Sequence, residues 1–264
     1  MSSFMAKNTH EEFKKVIWEY YHKNKRNFPW RQTTDQYQIL VSEIMLQQTQ
    51  TDRVVPKFND FIKKFSTFQA LAKASLPDVL QLWSGLGYNR RALYLQKTAQ
   101  AVVTQFGNTL PSEEKILMSL PGIGKYTAGA LMAFAFNKRA IFIETNIRRV
   151  FIHFFFSDKE KISDAQLIPY IEQTLPENNY REWYYALMDY GNYLAKITHN
   201  PNRKSKHYTK QSKFEGSKRQ LRGAILREYL AQGSVTEDNL MFADYTKEYI
   251  GSVIQDLKKE GLID

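Results

Sequence analysis

Residues 120–150, LPGIGKYTAGALMAFAFNKRAIFIETNIRRV, constrain the fold of this chain more than any other stretch. The segment opens on a glycine turn. Pro121 fixes one backbone angle, and Gly122 and Gly124 admit angles closed to side chains. The small apolar run after it predicts a helix over 127–136. A tight turn between two helices exposes backbone N–H groups at the start of the second helix, and such groups bind phosphate oxygens. Glycine lets a nucleic-acid backbone come close. About twenty residues on, Glu144 follows Ile141-Phe142-Ile143, and the basic pair Arg148-Arg149 comes next. Alone, LPGIG fits a plain helix–helix turn equally well. The turn, the spaced acid and the basic pair together favour an anionic polymer as partner.

The 264 residues suffice for one large or two small domains with a real core. The formal charge of +10 and the pI of about 9.5 agree with a polyanionic partner, although solvated lysines alone give the same balance. No apolar run of about eighteen residues marks a membrane span. The N-terminus, MSSFMAKNTHEEF, turns charged at once and has no signal-peptide pattern, so a cytoplasmic protein is expected. The chain has no cysteine, which excludes disulfides, thiolate nucleophiles and Cys-ligated zinc or iron–sulfur centres. No internal repeat, Walker loop, Rossmann fingerprint, histidine metal cluster or Ser-His-Asp order is visible.

Helical spacing of Phe13, Val16, Ile17 and Tyr20 predicts a helix over 11–25, and Leu40, Val41, Ile44 and Met45 a second over 36–49. Glu43 stands in the second beside Leu40 and Leu46. A carboxyl among apolar groups has a raised pKa and suits a general acid, whereas an isolated glutamate is more often a surface residue. Further helices are expected over 61–65, 77–86, 90–105, 112–119, 163–175 and 179–194. Arg90 and Arg91 face either phosphate or solvent. The polar, basic run at 209–216 predicts a linker, and 217–231, 235–241 and 245–260 predict three short helices. That bundle is of winged-helix or helix-turn-helix type, able to grip duplex DNA, or a plain accessory.

FPWR followed by SEIMLQQTQ, then LWSGLGYNRRALYL, LPGIGKYTAG and ALMDYG, closely resembles the MutY-type adenine DNA glycosylases of the helix-hairpin-helix superfamily, which includes endonuclease III. The resemblance spans roughly residues 10–208 in the family's order. It implies an all-α, two-lobed core over 1–208 with a catalytic cleft between the lobes and the hairpin at its mouth. It implies that Glu43 protonates the adenine and that the downstream carboxylate is catalytic, with Tyr126 and Asn146 beside it. Arg26, Trp30, Arg31, Leu46 and Asp189 fall at the base pocket. Asp189 also reads as a helix-surface acid. Gln48, Thr49, Leu86, Gly87, Tyr88, Gly122, Gly124, Lys125 and Arg148 fall at the DNA. The carbonyls of Met118, Leu120 and Ile123 would hold a monovalent cation, Na+ or K+.

Three departures stand out. The family has Asp where this chain has Glu144. Ala195 lies where the first cysteine of the family's iron–sulfur cluster would be, so no cluster is expected, as in other clusterless members. The residues after about 209 are too few for the family's Nudix-like domain that recognises oxidised guanine, so that domain is not expected. Lyase-competent relatives have Lys where this chain has Tyr126, and a phenol forms no Schiff base. Lys125 is adjacent, but one residue along a helix turns a side chain by about 100°. The expectation is therefore a monomeric, monofunctional glycosylase of base excision repair. It would act on duplex DNA, without a membrane, nucleoid-associated if bacterial, and release adenine mispaired with guanine or 8-oxoguanine. Removal of thymine, uracil or another base, or lesion binding without cutting, stays open.

Overall fold

The structure, a computed structural model, describes residues 2–210, 213–238 and 245–264, with side chains from residue 9 onward. In chain order the helices are α1 (Ser2–Asn24), α2 (Gln36–Leu46), α3 (Thr51–Lys64), α4 (Phe68–Lys73), α5 (Leu76–Trp83), α6 (Arg90–Gln105), α7 (Glu114–Leu117), α8 (Lys125–Phe134), α9 (Thr145–Phe155), α10 (Asp164–Thr174), α11 (Tyr180–Ile197), α12 (Lys218–Gln232) and α13 (Lys247–Lys259). Short 3-10 turns occupy Pro29–Arg31 and Pro201–Lys204. Among the described residues no strand forms, only an isolated parallel bridge between Ile162 and Ser205. The fold is all-α, and the chain divides into two compact units: residues 1–39, 112–118 and 123–210, and residues 40–111, 119–122 and 211–264.

The first unit is built on α11, which packs against α1, α8 and α9. Gly191 permits the closest approach: a Cβ there would lie 2.5 Å from the Asn146 carbonyl oxygen. Phe13 of α1 meets Phe151 of α9 and Trp183 of α11 at ring distances of 5.2 and 6.0 Å. The apolar segment before Glu144 is held from two sides. Phe142 stacks on Tyr184 at 4.0 Å, and Gly129 of α8 leaves room for it, since a Cβ would come within 2.9 Å of the Phe142 Cβ.

In the second unit α6 packs on α4 and α5, and α5 also meets α3 and α12. The amphipathic α3 buries Val54, Phe58 and Phe61, and it runs through Pro56, which obscured it in the sequence. The expected helix over 61–65 is thus only the end of α3; helix α4 was not expected, and it starts at a Thr67 side-chain cap. Helix α2 ends at Leu46 rather than at 49, because Gln48 takes a left-handed backbone conformation, φ 56°. Helix α5 ends at Trp83, ahead of Gly85 and Gly87 at φ 91° and 72°. The expected helix over 235–241 is not seen at 235–238, which form an irregular turn, and its remainder lies outside the described residues.

The hairpin needs one correction. Gly122 has φ +75°, and a Cβ would meet the Tyr94 Cβ at 2.7 Å, so glycine is required there. Gly124 has ordinary extended angles, φ −88° and ψ 177°, with open space around it. Helix α8 begins at Lys125, earlier than the apolar pattern suggests, and its N-cap Gly124 offers no side chain to the first turn. Gly122→Ala should therefore cost about 1–3 kcal/mol in chemical denaturation, and Gly124→Ala less than about 0.5 kcal/mol. Equal costs would refute this division of roles.

Candidate active site

In the first unit, Glu144 is the N-cap of α9. Its Oε1 accepts the backbone N–H groups of Asn146 and Ile147 at 2.7 and 2.8 Å, and its Oε2 accepts Asn146 Nδ2 at 3.2 Å. The carboxylate thus folds back onto the positive end of a helix. Burial pushes its pKa above the ordinary glutamate value, against the pull of those N–H groups and of Arg149 and Arg148. Asn146 is itself held: Arg149 Nη1 donates to its Oδ1 at 2.6 Å and to the Gly191 carbonyl at 2.7 Å. Arg149 is buried, and burial lowers its pKa. Of the basic pair, Arg149 is therefore a support of the Glu144 cap. Arg148 forms a bidentate pair with Asp164, both contacts at 2.7 Å.

The stretch that lacks the cluster cysteines is closed by hydrogen bonds. Asn202 Nδ2 donates to the Thr145 carbonyl at 2.9 Å, and Arg149 Nε to Asn200 Oδ1 at 3.3 Å. Ile162 and Lys204–Lys206 exchange backbone bonds of 2.9 and 2.8 Å. Nothing in the composition of this stretch marked Asn200 and Asn202 as supports.

A second constellation in the same unit centres on Asp189 of α11, whose side chain is 1% exposed, so it is not a surface acid. Arg31 grips it in a bidentate pair, 2.9 Å for each contact, and Arg26 adds Nε at 2.6 Å and its backbone N–H at 2.9 Å. Arg31 also lies 4.4 Å over the Tyr185 ring. This cluster anchors the Pro29–Arg31 turn, in which the buried Trp30 stacks on Phe28 at 5.0 Å. Tyr126 meets Phe142 edge-on at 5.7 Å, and the preceding Lys125 is exposed. Met118 is exposed, and the Ile123 side chain is buried.

In the second unit, Glu43 is 5% exposed on an α2 that buries Ile39 to Met45 throughout, which removes its reading as a surface glutamate. Leu46 is half-buried, and Leu120 is buried. Gln48 and Tyr88 are exposed, and both have positive φ, 56° and 49°. Thr49 Oγ1 donates to the Leu86 carbonyl at 3.4 Å, and the Leu86 side chain is buried rather than at the surface. Gly87 is exposed. Arg91 is half-buried, and its guanidinium donates inward to the backbone around these residues.

Residues 41–171 match the sequence pattern of the HhH-GPD superfamily base excision DNA repair proteins. The chain is 37% identical over 173 residues to an adenine DNA glycosylase of Buchnera aphidicola subsp. Baizongia pistaciae, covering 65% of this chain and 49% of that one. It is 31% identical over 181 residues to a thymine/uracil-DNA glycosylase of Methanothermobacter thermautotrophicus, covering 67% and 82%. Among solved structures, that of a thermostable thymine-DNA glycosylase superposes with a TM-score of 0.63 at 28% identity, covering 70% of this chain and 87% of that one. The chain belongs to the HhH-GPD superfamily of base excision DNA repair proteins. It spans about half the length of the Buchnera adenine DNA glycosylases it matches, 49–53%.

The raised pKa of Glu144 fixes the sign of its effect on stability. Its folded-state value lies above the unfolded one, about 4.3. Glu144 therefore favours the fold below that pH, and the contribution is lost as pH rises through the folded-state pKa. Denaturation curves should show the stability of wild type relative to Glu144→Gln falling as pH rises above about 4. A rise would mean that the capping N–H groups outweigh burial.

Proposed function

We propose that this protein is a monofunctional DNA glycosylase of base excision repair, hydrolysing the N-glycosidic bond of an adenine mispaired with guanine or 8-oxoguanine. The observation that carries the reading is Glu43, a carboxyl 5% exposed on an apolar helix, within the segment that resembles the adenine glycosylase signature. The adenine DNA glycosylases among its relatives support it. In this reading residues 1–208 are the catalytic core, 209–216 a linker and 217–264 an accessory bundle. The protein acts as a monomer on duplex DNA, in the cytoplasm or on the nucleoid. Among the described residues no helix is long and apolar enough to cross a membrane. The carbonyls of Met118, Leu120 and Ile123 belong to the same proposal as holders of a monovalent cation.

The target nucleotide must leave the stack, at a cost of a few kcal/mol. Gln48 and Tyr88, exposed on neighbouring turns, suit the gap it leaves. Glu43 donates a proton to the departing base, making it a better leaving group. The sugar then develops oxocarbenium character, and the ionised Glu144 stabilises it before water adds, the logic of two-carboxylate glycosidases. With Tyr126 instead of an amine, no Schiff base forms and the strand stays intact. A second reading, removal of thymine or uracil, draws on the Methanothermobacter relative, which the chain matches over 82% of its length.

Glu43→Gln keeps the shape but not the acidic proton. Base release in single turnover should fall at least about a hundredfold, within the range of general acid catalysis, while mispair binding persists. Glu144→Gln should fall comparably. Borohydride should trap no covalent complex, and breaks should appear only after alkali. Full activity of Glu43→Gln would remove it from the chemistry, and efficient trapping abolished by Lys125→Ala would place an amine at the sugar.

A further inference from the structure

Arg91 makes an unusual set of contacts, all within the second unit. Its Nη1 donates to the carbonyls of Ile44, Met45 and Gln47 at 2.8, 3.0 and 2.6 Å. Its Nη2 donates to the carbonyls of Leu86 and Gly87 at 3.2 and 2.9 Å and to Thr49 Oγ1 at 3.2 Å. Its Nε reaches the Tyr88 carbonyl at 3.3 Å. The guanidinium lies 5.4 Å over the Trp83 ring and 5.6 Å over that of Tyr88. No acidic side chain is among these partners; the cation is answered by carbonyl dipoles and ring faces. Burial lowers its pKa to about 10, which leaves it charged at neutral pH.

The geometry has a clear physical meaning. Ile44 and Met45 lie in the last turn of α2, whose carbonyls have no partner within the helix. A cation is favoured at that end, so Arg91 closes α2 from outside it. With its other edge it closes the turn after α5. Each turn contains a non-glycine residue with positive φ, Gln48 and Tyr88. Such conformations are strained and persist only where the surroundings enforce them. The carbonyls on Arg91 flank both residues, and both side chains are exposed.

We propose that Arg91 is a positioning residue, whose guanidinium ties the turn after α2 to the turn after α5 and holds Gln48 and Tyr88 ready for the mispair. The inference rests on the reading of those two side chains as lesion contacts. It assigns Arg91 no contact with DNA. Lysine cannot substitute, because its three N–H groups radiate from one nitrogen and do not span both turns.

The test compares Arg91→Lys, Tyr88→Ala and the double variant, all in a Glu43→Gln background so that the duplex stays intact. Affinity for an adenine·8-oxoguanine duplex is measured against a matched duplex over a range of salt. Arg91→Lys should lose about tenfold of the preference for the mispair with an unchanged salt slope, because no phosphate contact goes with it. The double variant should lose less than the sum of the two single losses, because part of the Arg91→Lys loss is that of Tyr88. Hydrogen exchange without DNA should speed up at the amides of 47–49 and 86–88 in Arg91→Lys. The proposal falls if the preference survives, if the two losses add, or if the slope drops by the ~0.9 of one lost phosphate contact. A wild-type chain with no preference for the mispair would defeat the glycosylase reading as well, a result distinct from a preference that Arg91→Lys retains. Should Arg91→Lys not fold, the Arg91 Nε–H resonance of the parent protein decides. It should be protected from exchange and shift on adding mispaired but not matched duplex; a resonance indifferent to the mispair contradicts the proposal.

Discussion

The close crossing of α9 and α11 at Gly191 is the constraint on which the first unit depends. Without a Cβ at that position the two helices approach until the backbone of one touches Asn146 of the other. The contact brings the Gly191 carbonyl within reach of Arg149, and Arg149 in turn holds Asn146, which donates to Glu144. Two residues before Gly191 stands Asp189, which gathers Arg26 and Arg31 and so fixes the turn that carries Trp30. A single helix therefore sets both the Glu144 carboxylate and the arginine cluster. Any side chain at Gly191 would displace both at once.

Charge is handled by the same rule in both units. A carboxylate or guanidinium withdrawn from water must be met by dipoles or an opposite charge. Asp189 is met by two arginines, Glu144 by helix N–H groups and an amide, and Arg91 by backbone carbonyls. The three solutions differ in consequence. The Asp189 carboxylate has both oxygens paired with arginine. Glu144 keeps a raised pKa because its compensation falls short of its burial. The longer arm of glutamate, where the family has aspartate, folds back far enough to keep its oxygens on the α9 N-terminus.

Much of the architecture was legible in local pattern. Periodicity marked α1 and α2, and the turn residues marked the hairpin. The position of Glu43 among apolar neighbours agrees with its burial. What escaped had physical reasons. The first part of helix α3 was hidden by Pro56, and the boundaries of α2 and α5 are set by positive backbone angles that no periodicity reports. The pairing of Asp189 with Arg26 joins residues far apart in sequence, 163 positions, which no spacing rule reaches. Arg91 looked like half of a surface pair because its partners are carbonyls, and carbonyls carry no sequence signal. Gly124 reads like Gly122 in the sequence, yet only Gly122 has the conformation that demands glycine.

The central claim is that the two carboxylates serve the release of adenine. Single-turnover base release by the unaltered protein tests it most directly, on duplexes carrying adenine opposite 8-oxoguanine, adenine opposite guanine, thymine or uracil opposite guanine, and a matched pair. Adenine should leave both of its mispairs, with the matched duplex untouched and thymine and uracil at least about tenfold slower, roughly the discrimination one pocket contact supplies. Release of thymine or uracil alone would contradict the assignment of the base. Release of none would contradict the enzyme and leave a protein that recognises lesions without cutting them.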